Sequence, residues 1–120
     1  MIALSVAIGS ALGGVCRYGL SSLMNASGGF PWGTLTVNVV GSLLIGALSG
    51  WLTHVSGNAA VLRALAVTGF CGGFTTLSTF SNETFRMLEG EQWGMAVAYA
   101  GVTVVAGLAA VWLGYFISRG

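Results

Sequence analysis

The sequence contains no lysine and no aspartate. Formal charge rests on seven side chains: Arg17, Arg63, Arg86, Arg119, Glu83, Glu89 and Glu91. They make up 6% of the chain, against about 25% in a soluble domain, so the material for a solvated surface is missing. The shortage also removes nucleic acid as a partner, because phosphate binding needs clustered Lys and Arg. Histidine occurs once, as His54 in a short polar connection, with no partner at metal-ligand spacing. The two cysteines, Cys16 and Cys71, form no CxxC or metal-spaced pair and read as buried packing elements among small residues. No nucleophile–base pair or metal cluster is evident, which disfavours an enzyme.

What remains is mostly apolar: 55% of the residues are hydrophobic and the mean hydropathy is strongly positive. A chain of 120 residues is one compact unit, and lipid is its expected solvent. A membrane helix needs about 20 mostly apolar residues. Four segments meet that length, over residues 2–24, 33–52, 60–86 and 93–117. Between them lie Asn25 to Trp32 (NASGGFPW), Thr53 to Asn58 (THVSGN) and Met87 to Gln92 (MLEGEQ), where Gly, Pro, Asn and charge collect as turn chemistry requires. The first span lacks a basic leader and a small-residue cleavage site, and three spans follow it, so it reads as a retained helix. Four spans put both termini on one side. Arg63 and Arg119 fall on that side and Arg86 on the other, a weak positive-inside signal that lets the chain insert both ways up.

Glycine supplies 20 of the 120 residues, against roughly 7% on average. Gly9 and Gly13, Gly46 and Gly50, and Gly69 and Gly73 form small-xxx-small pairs, which let helix backbones touch in lipid. Four short helices enclose little by themselves, so oligomerisation is expected.

Polar groups inside a membrane are costly and are functional candidates by default. Arg17 stands deep in the first span, seven residues from its end, with no acidic residue in its own helix. An unpaired positive charge there either snorkels or faces a wet vestibule and draws anions. In the second span Thr34, Asn38, Ser42, Gly46 and Ser49 step by four and then three along one stripe. The stripe suits helix–helix hydrogen bonding or a lining surface, and its length favours lining. The third span reads GFCGGFTTLSTFSNE from Gly69 to Glu83, three glycines followed by five hydroxyl residues within seven positions. That composition makes a poor uninterrupted helix, and breaks are expected at Gly72-Gly73 and at Thr75-Thr76. A break at mid-membrane frees backbone groups, which is tolerated only where they are buried or line a cavity. Freed carbonyls suit a small cation and freed N–H groups an anion. Phe80 and Glu83 follow the break. In the fourth span Tyr99 reads as an interfacial anchor, with Thr103 on the same face.

Three of these stretches, GGVCRY (Gly13 to Tyr18), WGTLTVNVVGS (Trp32 to Ser42) and GFCGGFTTLSTFSNE, resemble the small fluoride channels of the Fluc/CrcB family, and the resemblance covers essentially the whole chain. It implies an all-α protein of the bacterial plasma (inner) membrane. Its four transmembrane helices, broken in the third, pack as an antiparallel, dual-topology dimer with two pores and a central structural sodium ion. By the same resemblance, backbone carbonyls of Gly72 and Thr75 hold the sodium. The pore Asn maps to Asn38, the hydroxyls at the break to Thr76, Ser78 and Thr79, the vestibule Glu to Glu83 and the first-span Arg to Arg17. The family pattern TTFSTF reads TTLSTF here, so Leu77 replaces one of two pore phenylalanines and Phe80 remains. The fourth-span polar track falls at Gly107 and Val111, leaving Thr103. Small dual-topology multidrug exporters share the length and span count but need a carboxylate in the first span, where this chain has Arg17. Two readings stay open: a channel for passive fluoride export, or a weakly or non-conducting partner that pairs with a different homologue.

Overall fold

Long apolar runs with no internal proline form four helices in a computed structural model: α1 (Ile2–Met24), α2 (Trp32–Leu52), α3 (Ala59–Glu89) and α4 (Trp93–Arg119). All four are long and apolar enough to cross a membrane. The structure describes residues 1–24, 29–57 and 59–120, so parts of the first two expected breaks, residues 25–28 and 58, lie outside it. Pro31 stands immediately before α2, where its missing N–H costs nothing.

The third span was expected to end at Arg86 and instead runs on to Glu89. Met87 is buried in the core, and the helix closes only beyond it. Gln92 N–H donates to Met87 O at 2.7 Å and Glu91 N–H to Leu88 O at 3.0 Å. This pair of reversed bonds needs a left-handed residue, and Glu91 supplies it with φ 60°.

The third span is one joined, bent helix. An α-helical turn, Ala59–Leu62, leads into a π-helical stretch, Arg63–Cys71. Gly72 keeps helical angles (φ −62°, ψ −38°), so the glycine pair does not interrupt the chain. The bend lies at Thr75 (φ −83°, ψ 156°) and Thr76 (φ −147°, ψ 118°), both extended, before Leu77–Glu89 resumes as α-helix.

The helices pair two by two, α1 along the first half of α3 and α2 along α4. Both contacts use the glycine pairs. A Cβ on Gly9 or Gly13 would strike the backbone of Phe70, and one on Gly73 would strike that of Ser10. On the other seam, a Cβ on Gly46 would meet Val111 O, and one on Gly50 would lie 2.6 Å from Tyr115 O. Gly13→Ala should therefore lower the melting temperature, by an overpacking cost of about 1–3 kcal/mol. Gly14→Ala, one residue on with nothing within 4 Å of a Cβ, should be neutral or mildly stabilising. Thermal unfolding of both variants in detergent checks this pair, and equal melting would discount the close approach.

His54 lies in the loop after α2, as expected, and its Nε2 stands 2.6 Å from Arg119 O, fastening that loop to the end of α4. Of the cysteines, Cys71 is buried as expected and Cys16 is exposed. The molecule is a slab of 52 × 29 × 20 Å, and only 11% of the most apolar window of α4 is buried within it. Many large apolar side chains, among them Leu108, Trp112 and Ile117, are left exposed.

Candidate functional site

The site begins with the backbone of Thr76. An extended residue inside a helical span loses its helical hydrogen bonds, and in lipid each loss costs several kcal/mol. Asn38 of α2 replaces both. Its Oδ1 accepts from Thr76 N–H at 2.9 Å and its Nδ2 donates to Thr76 O at 3.3 Å, so the carboxamide pairs with the peptide as a neighbouring strand would. The Thr76 side chain then starts the next helix: its Oγ1 accepts from Thr79 N–H at 3.2 Å, a side-chain N-cap. The same hydroxyl donates to Thr79 Oγ1 at 3.1 Å and lies 3.4 Å from Ser78 Oγ. Thr75 ends the preceding turn, with N–H and Oγ1 both donating to Cys71 O at 2.9 Å. Its methyl group packs on Gly41, where a Cβ would collide with it.

These rearrangements leave two carbonyls without their ordinary helical donors. Thr76 N–H, four residues beyond Gly72, is taken by Asn38, and Thr79 N–H, four beyond Thr75, is taken by Thr76 Oγ1. One of the two carbonyls between them, Gly73 O, accepts from Arg17 Nε at 3.2 Å. Arg17 thus braces the bend from α1.

On the other side of the bend a groove of about 280 Å³ opens between α2, α3 and α4. Asn38, Ser42, Thr75, Thr76, Phe80 and Thr103 line it, with Leu77 at its edge, 75% exposed. The Nδ2 of Asn38 carries two hydrogens, and the bond to Thr76 O uses one of them. Thr103 Oγ1 is buried there with no hydrogen-bond partner. The groove therefore combines spare donors with one aromatic edge.

Glu83 lies beyond Phe80, half-buried. It accepts from Thr34 Oγ1 at 3.0 Å and Tyr99 OH at 2.8 Å, which ties α2, α3 and α4 together. Tyr99 is wholly buried rather than sited at an interface, with Phe80 at 5.0 Å and Phe30 edge-on at 5.3 Å. The bend thus gathers Asn38, Thr76, Ser78, Thr79, Phe80 and Thr103. Glu83 joins them through Tyr99, and Arg17 stands apart behind the bend. Thr34 and Ser42 belong to the arrangement as well, and their four-residue steps from Asn38 were the signal for them. Tyr99 carried no such signal, because its role depends on Glu83, sixteen residues away.

Four membrane-length helices with a polar, donor-bearing bend among them define a small multi-pass membrane protein. Residues 4–115 match the family described as CrcB-like protein, Camphor Resistance (CrcB). The chain belongs to that family. It is 46% identical over 119 residues to a fluoride-specific ion channel FluC of Novosphingobium aromaticivorans, covering 96% of this chain and 94% of the relative. A Coxiella burnetii protein of the same name is 43% identical over 122 residues, covering 99% and 98%. One from Methanopyrus kandleri is 48% identical over 108 residues, covering 89% and 81%.

Proposed function

We propose that this chain is a subunit of a fluoride-selective channel of the plasma membrane, which lets fluoride leave the cell passively and lowers its cytoplasmic level. The observation that carries the reading is the groove at the bend, where Thr103 Oγ1 has no partner and Asn38 keeps one N–H unused. Fluoride holds water tightly, so a selective path must replace that water with donors. Hydroxyls of Thr76, Ser78, Thr79 and Thr103 and the Asn38 amide supply them, and the positive edge of Phe80 adds a further anion contact. Several weak sites permit both entry and exit. Arg17 and Glu83 stand toward the vestibules. Purified chain in liposomes, with a potassium ionophore present, should release fluoride and retain chloride. Comparable chloride release would sink the selectivity.

The groove is open along one side, and a second, antiparallel copy is the proposed closure. Backbone carbonyls of Gly72 and Thr75 fit a structural sodium at the centre of such a dimer, because both have lost their helical donors. Among the described residues no three His, Cys, Asp or Glu side chains come together, so a carbonyl-held monovalent ion is the form that suits. The ion would supply positive charge that holds two such bends together. Removing sodium during purification should weaken the dimer, read by size-exclusion chromatography, while Thr75→Ser should change little. A dimer indifferent to sodium would count against the site. The relatives' shared name favours a conducting subunit over a silent partner, and Leu77 is the residue that keeps the partner reading testable.

A further inference from the structure

A second groove, of about 650 Å³, runs between α2 and α4 away from the bend, walled by Gly46, Ser49, Leu108, Val111, Trp112 and Tyr115. From Leu108 to Tyr115 is seven residues, or about 10 Å along the helix. One turn beyond Tyr115 stands Arg119, its guanidinium 5.9 Å from the Tyr115 ring centre and 4.8 Å from that of Phe116. Its backbone is fixed: His54 Nε2 meets Arg119 O at 2.6 Å, and a Cβ on Gly50 would lie 2.9 Å from Arg119 N. The 27 residues of α4 span about 40 Å, close to the thickness of a bilayer with its headgroups, so Arg119 lies at headgroup level. The three glutamates all fall between Glu83 and Glu91, at the opposite end of α4. Arg119 and Arg63 therefore leave this end with unbalanced positive charge.

We infer that this groove is a site for an anionic phospholipid, with one acyl chain along Leu108, Trp112 and Tyr115 and the phosphate on Arg119. The walls are apolar and open on one side, and Arg119, its backbone held by His54, stands where a chain in the groove would end in its headgroup. Trp112 reports occupancy directly. In a chain with Trp32, Trp51 and Trp93 replaced by Phe, brominated-chain phosphatidylglycerol in phosphatidylcholine vesicles should quench Trp112 at a mole fraction about fivefold lower than brominated phosphatidylcholine does. Arg119→Gln should erase that difference. Equal quenching by the two lipids, or a preference that survives Arg119→Gln, would overturn the inference. Quenching by neither would overturn it too, since a second copy of the chain would then cover the groove. The unmodified chain provides an independent reading: native mass spectrometry should retain phosphatidylglycerol over phosphatidylcholine, and no preference there also overturns it. Both readouts are independent of fluoride flux, so a silent chain leaves the inference standing and a conducting one does not support it.

Discussion

Asn38→Leu should abolish fluoride flux and destabilise the protein, two losses with one cause. The carboxamide satisfies both backbone groups of Thr76, at 2.9 and 3.3 Å. Leucine fills similar space and satisfies neither. An orphaned buried N–H or C=O costs about 1–3 kcal/mol each, so the expected loss is about 2–6 kcal/mol, more than most single substitutions bring. The helix can recover those bonds only by straightening at Thr75-Thr76, which would remove the groove and the proposed sodium carbonyls together. Asn38→Asp separates the two roles. Its carboxylate still accepts from Thr76 N–H but faces Thr76 O without a donor and repels an entering anion. It should therefore melt between the wild type and Asn38→Leu and be as silent as the leucine variant. Thermal unfolding with parallel liposome efflux reads both quantities. Should Asn38→Leu fold and conduct normally, the pairing with Thr76 is incidental.

The spans were legible because a membrane sets their length and excludes charge from their interiors, so hydropathy alone places Ile2–Met24 and Trp32–Leu52 closely. The polar stripe was legible for a related reason: Thr34, Asn38 and Ser42 repeat at helical spacing in a segment that otherwise excludes polar groups. Composition pointed to both Gly72-Gly73 and Thr75-Thr76 as breaks, yet only the threonines leave helical angles. Glycine permits a break and does not require one. At Thr76 a side-chain cap and a partner on another helix make the extended form favourable, and the partner is thirty-eight residues distant. The π-helical stretch Arg63–Cys71 was illegible, since a one-residue widening of the hydrogen-bond ladder has no marker in an apolar run. The partners of Tyr99 and Arg17 were out of reach by a common route. Each was weighed as a lone polar side chain at a membrane depth, whereas each finds a partner on α3. Sequence position gives depth in the bilayer, but not which way a side chain turns.

Leu77→Phe should raise fluoride flux, and Phe80→Ile should nearly abolish it. Leu77 is 75% exposed at the edge of the groove, so its side chain points away from its own subunit toward whatever lies alongside. Phe80 is half-buried, with Tyr99 at 5.0 Å holding its ring at the groove. In the proposed antiparallel dimer each pore takes the residue at 77 from one subunit and the residue at 80 from the other. A homodimer therefore has one ring and one leucine in both pores. Leucine keeps the path narrow but offers an anion no positive edge. An aromatic contact is worth about 0.5–1.5 kcal/mol, a change of about threefold to tenfold if it bears on the barrier. The native chain should thus conduct slowly and selectively, and Leu77→Phe faster by that factor with the chloride rejection unchanged. Phe80→Ile removes the last ring and its packing on Tyr99, which also loosens the Glu83 clamp on the other helices. Initial rates of fluoride release from liposomes at equal protein density decide among the outcomes. A native chain whose rate Leu77→Phe cannot improve would make the ring at 77 dispensable. If the native chain and Leu77→Phe are both silent while Leu77→Phe folds as well as its parent, the ring at 77 is not what is missing, and the reading of this chain as one half of a pair with a different homologue gains.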